Sequence, residues 1–117
     1  MFEFDALQSV ADVPRLHGRT RPALIAQIFE DRTTTYGEFD RRTNQVAQGL
    51  LALGLRPGTR IGFLGKNSDY FFELLFGAAK ARVVLAGVNW RLAPPEMIYI
   101  LNDSRCQALF VSTEYYA

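Results

Sequence analysis

Apolar and polar positions along this chain follow two periods, and the switches between them predict its elements. From Phe39 to Leu51 the period is helical. Phe39, Thr43, Val46, Ala47, Leu50 and Leu51 line one side, and Arg41, Arg42, Gln45 and Gln48 take the other. Thr35-Tyr36-Gly37-Glu38 marks the start as a capping box, in which the Thr hydroxyl and the Glu carboxylate each satisfy an amide at the helix start. Gly54 is the expected stop, and Pro57-Gly58 the turn beyond it. A second helix is predicted after Asn67, Ser68 or Asp69. Its polar positions Glu73, Gly77 and Lys80 form one narrow stripe, predicted to face solvent. Phe71, Phe72, Leu74, Leu75, Phe76, Ala78 and Ala79 cover the other sides, which therefore need cover. A third helix opens at Pro94, with Glu96 in the turn where negative charge is favoured. Met97, Ile98 and Leu101 are predicted to pack inward, and Asp103 and Ser104 to end the helix.

Between these helices lie short apolar runs. "RIGFLG" reads as a strand, and "VVLAGVN" and "CQALFVST" as buried parallel strands. Helix and strand alternate from Tyr36 onward. That order predicts an α/β fold, a mainly parallel sheet flanked by helices with right-handed crossovers. Upstream, Ala6 to Leu16 is predicted as a short helix with Pro14 near its end, and "GRTRP" as a polar connector. "ALIAQIFE" and "RTTTY" flank Asp31 and Arg32 and predict a small β-hairpin. The expected division is residues 1–21 as N-terminal helix and connector, and residues 22–117 as the α/β domain.

Composition narrows the function classes. The 117 residues are 49% hydrophobic and 21% charged, a globular balance. Net charge is +1 and the arginines are scattered, so no basic stripe points to nucleic acid. Cys106 is the single cysteine, which excludes an internal disulfide and suits a reducing, cytoplasmic setting. "MFEFDALQSVADVPR" lacks the apolar core of a secretory signal. Glu73, Lys80 and Arg82 interrupt the most apolar stretch, Phe71 to Val88, so no transmembrane segment is expected.

Few side chains offer chemistry. "GFLGKN" is not a phosphate loop, because Arg60 stands where the first Gly belongs and Asn67 follows Lys66 in place of Ser or Thr. It reads as a strand end and a helix cap, with Lys66 at the strand end. His17, the only histidine, has no ligand cluster at metal spacing and is expected at the surface. Cys106 is expected as a core thiol, with no His near it in sequence. One His and scattered acids assemble no triad or carboxylate pair, so no catalytic or metal-ligating residue is assigned. Arg91 is expected to cap a strand end or pair with Glu96.

The ordered set Thr35-Tyr36, Arg42, Asn44, Gly54, Gly58, Arg60, Asn67, then Asn89, Arg91, Leu92, Glu96 and Asp103-Ser104 resembles the N-terminal part of the adenylate-forming acyl-CoA synthetases. The resemblance covers residues 22–113, and "NWRLAPPE" is most similar to members acting on fatty or related carboxylic acids. Two departures stand out. Ala81-Arg82-Val83 replaces a usual Ala-Gly-Ala, and Ala86-Gly87 stands where a Pro is common. The resemblance implies an incomplete N-terminal subdomain of the acyl-CoA synthetase fold, from an enzyme joining a carboxylic acid to CoA with release of AMP and pyrophosphate. Its cofactors would be ATP, magnesium and CoA, with none bound by these 117 residues, because the phosphate loop, the Tyr-Gly-x-Thr-Glu segment and the C-terminal lysine are missing. The 117 residues are accordingly expected to be inactive and to self-associate. The resemblance also gives Arg91 a sharper role, contact with a CoA phosphate. A reading from another class is a non-catalytic α/β binding or assembly module reusing this scaffold, and a third is a decayed copy.

Overall fold

A computed structural model describes residues 9–88 and 90–112. The elements in chain order are α1 (Asp12–Thr20), β1 (Ile25–Phe29), β2 (Arg32–Thr35), α2 (Tyr36–Ala52), β3 (Arg60–Leu64), α3 (Asp69–Lys80), β4 (Val84–Val88), α4 (Pro94–Asp103) and β5 (Cys106–Val111). β1 and β2 form an antiparallel hairpin. β3, β4 and β5 form a parallel sheet in the order β4-β3-β5. The expected α/β architecture is present. Ile61 faces Leu85 on one side and Ala108 on the other, so β3 is the central strand.

The crossovers place the helices. β3 to β4 and β4 to β5 move in opposite directions across the sheet, so right-handed connections put α3 and α4 on opposite faces. Strand alternation then divides β3. Ile61 and Phe63 enter the core with Leu74 and Ala78 of α3 and Ala47 and Leu50 of α2. Gly62 points to the other face, where an added Cβ would lie 2.8 Å from Leu101 of α4. Ile61 is fully buried and Leu50 is 2% exposed, which fixes the core on the α2–α3 side.

The capping box at Thr35 and Glu38 is present, and its hydrogen bonds hold the Glu38 carboxyl below its usual pKa. Gly54 follows α2 at φ 83°, the left-handed conformation that favours glycine at a helix end.

Several expectations are corrected. The first helix is Asp12–Thr20, not Ala6–Leu16; residues 6–8 lie outside the described residues. Pro14 sits in its first turn, where a missing amide costs nothing, and Gly18 to Thr20 continue the helix instead of forming a connector. Leu51 is exposed, while Leu50 beside it takes the buried side of α2. Ile98 is also exposed, since α4 meets the sheet through Leu101. β4 and β5 are the outer strands of the described sheet and only partly buried, with Val84 and Leu109 exposed.

The largest correction concerns the stripe Glu73-Gly77-Lys80. It faces α2, not solvent. Glu73 and Gly77 are buried, and the Lys80 side chain is 3% exposed. Gly77 lets the helices meet, because a Cβ there would collide with Val46. Lys80 Nζ donates to Asp40 Oδ1 at 2.6 Å, to Asn44 Oδ1 at 2.8 Å and to the Asp40 carbonyl at 3.2 Å. Arg42 Nη1 reaches Glu73 at 3.3 Å, and burial still pushes the Glu73 carboxyl above its usual range. Among the described residues, no helix is long and apolar enough to cross a membrane.

Candidate functional site at the carboxyl ends of the parallel strands

In open α/β sheets, ligands bind beyond the carboxyl ends of the strands. Here that edge is built by two connections. β3 runs out through Gly65, Lys66 and Asn67 before Ser68 caps α3, its hydroxyl accepting from the Phe71 amide at 3.2 Å. β4 runs out to Trp90, Arg91 and Leu92 before α4 begins. Pro94 and Pro95 occupy the first helical positions, and Ala93 is extended at ψ 152°. A residue before proline is pushed out of the helical region, so α4 cannot start earlier. The prolines thereby keep Trp90, Arg91 and Leu92 out of the helix, at the strand end.

Between the two connections lies a cavity of about 530 Å³, lined by Phe63, Gly65, Lys66, Asn67, Phe71 and Trp90, among others. Gly65 is required where it stands, because a Cβ would come 2.8 Å from Ser112 and 2.9 Å from the Phe63 ring. Lys66 Nζ lies 4.8 Å from the centre of the Trp90 ring, and the Arg91 guanidinium carbon lies 4.9 Å from the centre of the same ring. Two cations therefore share one indole. Lys66 and Arg91 are exposed, and Trp90 is half-buried. Asn89 lies outside the described residues.

The other candidates are placed elsewhere. His17 is 6% exposed, not at the surface as expected. Its ring lies 4.8 Å from that of Tyr36. The cause is the close passage of α1 over α2, where an added Cβ on Gly18 would meet Asp40 at 2.7 Å. Cys106 is half-buried, with Sγ 3.1 Å from Ser104 Oγ. Among the described residues, no three His, Cys, Asp or Glu side chains cluster to hold a metal. The buried Asp69 carboxylate is taken by Arg32, and Asp40 by Lys80. The described residues therefore do not fit a magnesium site.

Sequence reasoning placed Lys66 at a strand end and gave it no role. It also missed the bidentate pair of Arg32 with Asp69, at 2.8 and 2.7 Å. Both pairings join segments far apart in the chain, and no local pattern announces them.

Residues 14–117 match the family model described as AMP-binding enzyme. The chain is 42% identical over 109 residues to the fatty acid–[acyl-carrier-protein] ligase ScoC of Streptomyces coeruleorubidus, covering 93% of this chain and 21% of that protein. It is 34% identical to a feruloyl-CoA synthase of an Amycolatopsis species, covering 92% of this chain and 22% of that one. Among solved structures, the N-terminal domain of FACL13 from Mycobacterium tuberculosis superimposes with a TM-score of 0.87 at 32% identity, covering 92% of this chain and 27% of that chain. The chain thus spans about a fifth of the length of the curated relatives it matches.

Proposed function

The chain belongs to the family of AMP-binding enzymes, and from that premise we propose that it is part of an ATP-dependent, AMP-forming acid–thiol ligase acting on a fatty acid. In the first half-reaction a carboxylate oxygen attacks the α-phosphorus of ATP, pyrophosphate leaves and an acyl-adenylate forms. In the second, the sulfur of CoA attacks the acyl carbon and AMP leaves. Magnesium would offset phosphate charge in the first step. The fatty-acid substrate is favoured by the likeness to ScoC, whose name states a fatty-acid ligase.

The observation that carries the reading for these residues is the position of Arg91. It is exposed on the connection that leaves the carboxyl end of β4, beside the cavity. In this reading its guanidinium binds a phosphate of CoA, a role suited to a permanently charged, forked donor. The 117 residues carry no glycine-rich phosphate loop, and Lys80 is spent on Asp40 and Asn44. We therefore read them as scaffold and thiol-donor edge, without turnover by themselves, in a cytoplasmic enzyme. Alone they self-associate through exposed apolar surface.

The test separates the half-reactions in the full-length enzyme. Arg91→Ala is expected to raise the KM for CoA about tenfold, the effect of losing one charge-assisted contact. Carboxylate-dependent exchange of pyrophosphate into ATP should stay within about twofold. Equal losses in both half-reactions would make Arg91 structural. A second reading, with a carrier-protein thiol as acceptor, is favoured by the name of ScoC. Acylation of a carrier protein with no thioester formed on CoA would establish it.

A further inference from the structure

We propose that the amino edge of the parallel sheet, opposite the cavity, is a docking surface for an anionic lipid bilayer, built by Arg56, Arg60, Arg82 and Arg105. These arginines are scattered in the sequence and gathered by the fold. Arg60 opens β3, and its Cα partners are Val84 of β4 and Cys106 of β5. Arg105 immediately precedes Cys106, and Arg82 stands two residues before Val84. Hydrogen bonds tie these turns together. Arg60 Nη1 donates to the Ser104 carbonyl at 3.2 Å, beside Arg105 in the chain. The Gly58 amide donates to the Arg82 carbonyl at 2.8 Å, and the Thr59 amide to the Arg56 carbonyl at 3.1 Å. Neighbouring strands lie about 4.8 Å apart, so the backbone of this edge is about 10 Å across. The surface is independent of the ligase reading.

All four arginines are exposed, and among the described residues none of them pairs with a carboxylate, whereas Arg15, Arg32 and Arg42 each hold an acid. Two of the four also carry backbone strain. Arg82 is at φ 61° and Arg105 at φ 56°, in the left-handed region that favours glycine. The helix dipole does not call for them there. Its effect fades beyond the last turn, and each stands two residues past the end of its helix. Strain kept at an exposed, unpaired cation points to use of the side chain. Aliphatic residues accompany the charges. Val84, opposite Arg60 in the register, is 49% exposed, and Leu51 in the last turn of α2 is 46% exposed. At a bilayer such side chains sink among the headgroups while guanidinia meet the phosphates. Nucleic acid offers the same phosphates but nothing for Leu51 and Val84 to enter.

Vesicle flotation on a density gradient tests the surface, because protein oligomers do not rise with lipid. The 117-residue chain should float with vesicles of phosphatidylcholine and phosphatidylserine in equal parts, and stay below with phosphatidylcholine alone. Added salt should release it. Arg56→Gln and Arg105→Gln should each weaken binding about fivefold, and the double variant about 25-fold, the usual contribution of basic residues at an anionic surface. Arg82→Gly removes a charge without threatening the fold and should weaken binding as much. Arg82→Lys keeps the charge and should bind as the wild type does. Arg41 is exposed in the first half of α2, away from this edge, and Arg41→Gln should leave binding unchanged. Equal flotation with neutral vesicles, undiminished binding by the double variant, or an equal loss in Arg41→Gln would overturn the surface. A chain that floats with neither vesicle would overturn it too. If that chain instead shifts a short DNA duplex, and the same variants lose the shift, the edge belongs to nucleic acid.

Discussion

Arg82 shows how much one residue's conformation decides. It sits between α3 and β4 at φ 61°, where an L side chain is crowded against its own backbone. Its carbonyl accepts from the Gly58 amide at 2.8 Å, and Gly58 is itself at φ 86°. That hydrogen bond fixes the turn, so the strain cannot relax. The sequence already marked this position, as a departure from the Ala-Gly-Ala that the resemblance leads one to expect. The structural reason is the left-handed backbone. Arg82→Gly should stabilise the chain by about 0.5–1 kcal/mol, the relief of the Cβ clash less the extra freedom of glycine when unfolded. Urea unfolding would show this as a higher midpoint at unchanged slope. A lower midpoint would mean that the Arg82 side chain contributes more than its backbone costs.

Between elements, polar groups do as much to set position as apolar ones. The hairpin is tied to α3 by Arg32, which forks onto Asp69 while its guanidinium lies 4.7 Å from the Tyr70 ring centre and 5.2 Å from that of Phe29. The Asp69 side chain is 1% exposed. Its hydrogen bonds to Arg32 hold the carboxyl below its ordinary pKa of 3.8, and raise that of Arg32 in turn. A depressed acid contributes stability above its unfolded pKa and loses it as pH falls through the folded value. Asp69→Asn should therefore cost about 2–3 kcal/mol at neutral pH, since Asn offers Arg32 no charge and only one acceptor. The deficit relative to wild type should shrink as pH falls below 3.8, where the unfolded carboxyl takes up its proton while the native one is still ionised. Urea unfolding at neutral pH and at a series of values below pH 3.8 measures the trend; a deficit independent of pH would mean that charge is not what ties the two elements. The stripe Glu73-Gly77-Lys80 belongs to the same scale. Its spacing was legible, but its direction was not, because a polar stripe meets solvent or a polar partner equally well until a second helix supplies one. α2 supplies Arg42, Asp40 and Asn44.

For the whole molecule, the described elements leave apolar surface uncovered. A groove of about 610 Å³ runs along Val46, Leu50, Leu53, Leu74 and Phe110, and Leu53 and Tyr70 in its wall are each exposed by 60% or more. Contiguous apolar surface of this kind drives association. Light scattering on the 117-residue chain should find oligomers that grow with concentration, and a stable monomer that binds no hydrophobic dye would contradict this. What the sequence determined by itself was local or periodic. The capping box at Thr35 needs only four consecutive residues, and the helix ends at Gly54 and Pro94 need only their own backbones. The parallel sheet followed from alternation alone, since crossovers of one hand leave few arrangements. Only the tertiary structure decided which polar groups meet. Arg32 reached Asp69, Lys80 reached Asp40, and Lys66 came to rest on Trp90 beside Arg91. Each of these pairs joins segments far apart in the chain, and no residue's own neighbours carry that information. The order β4-β3-β5 brings the ends of β3 and β4 together, and with them the two cations over one ring.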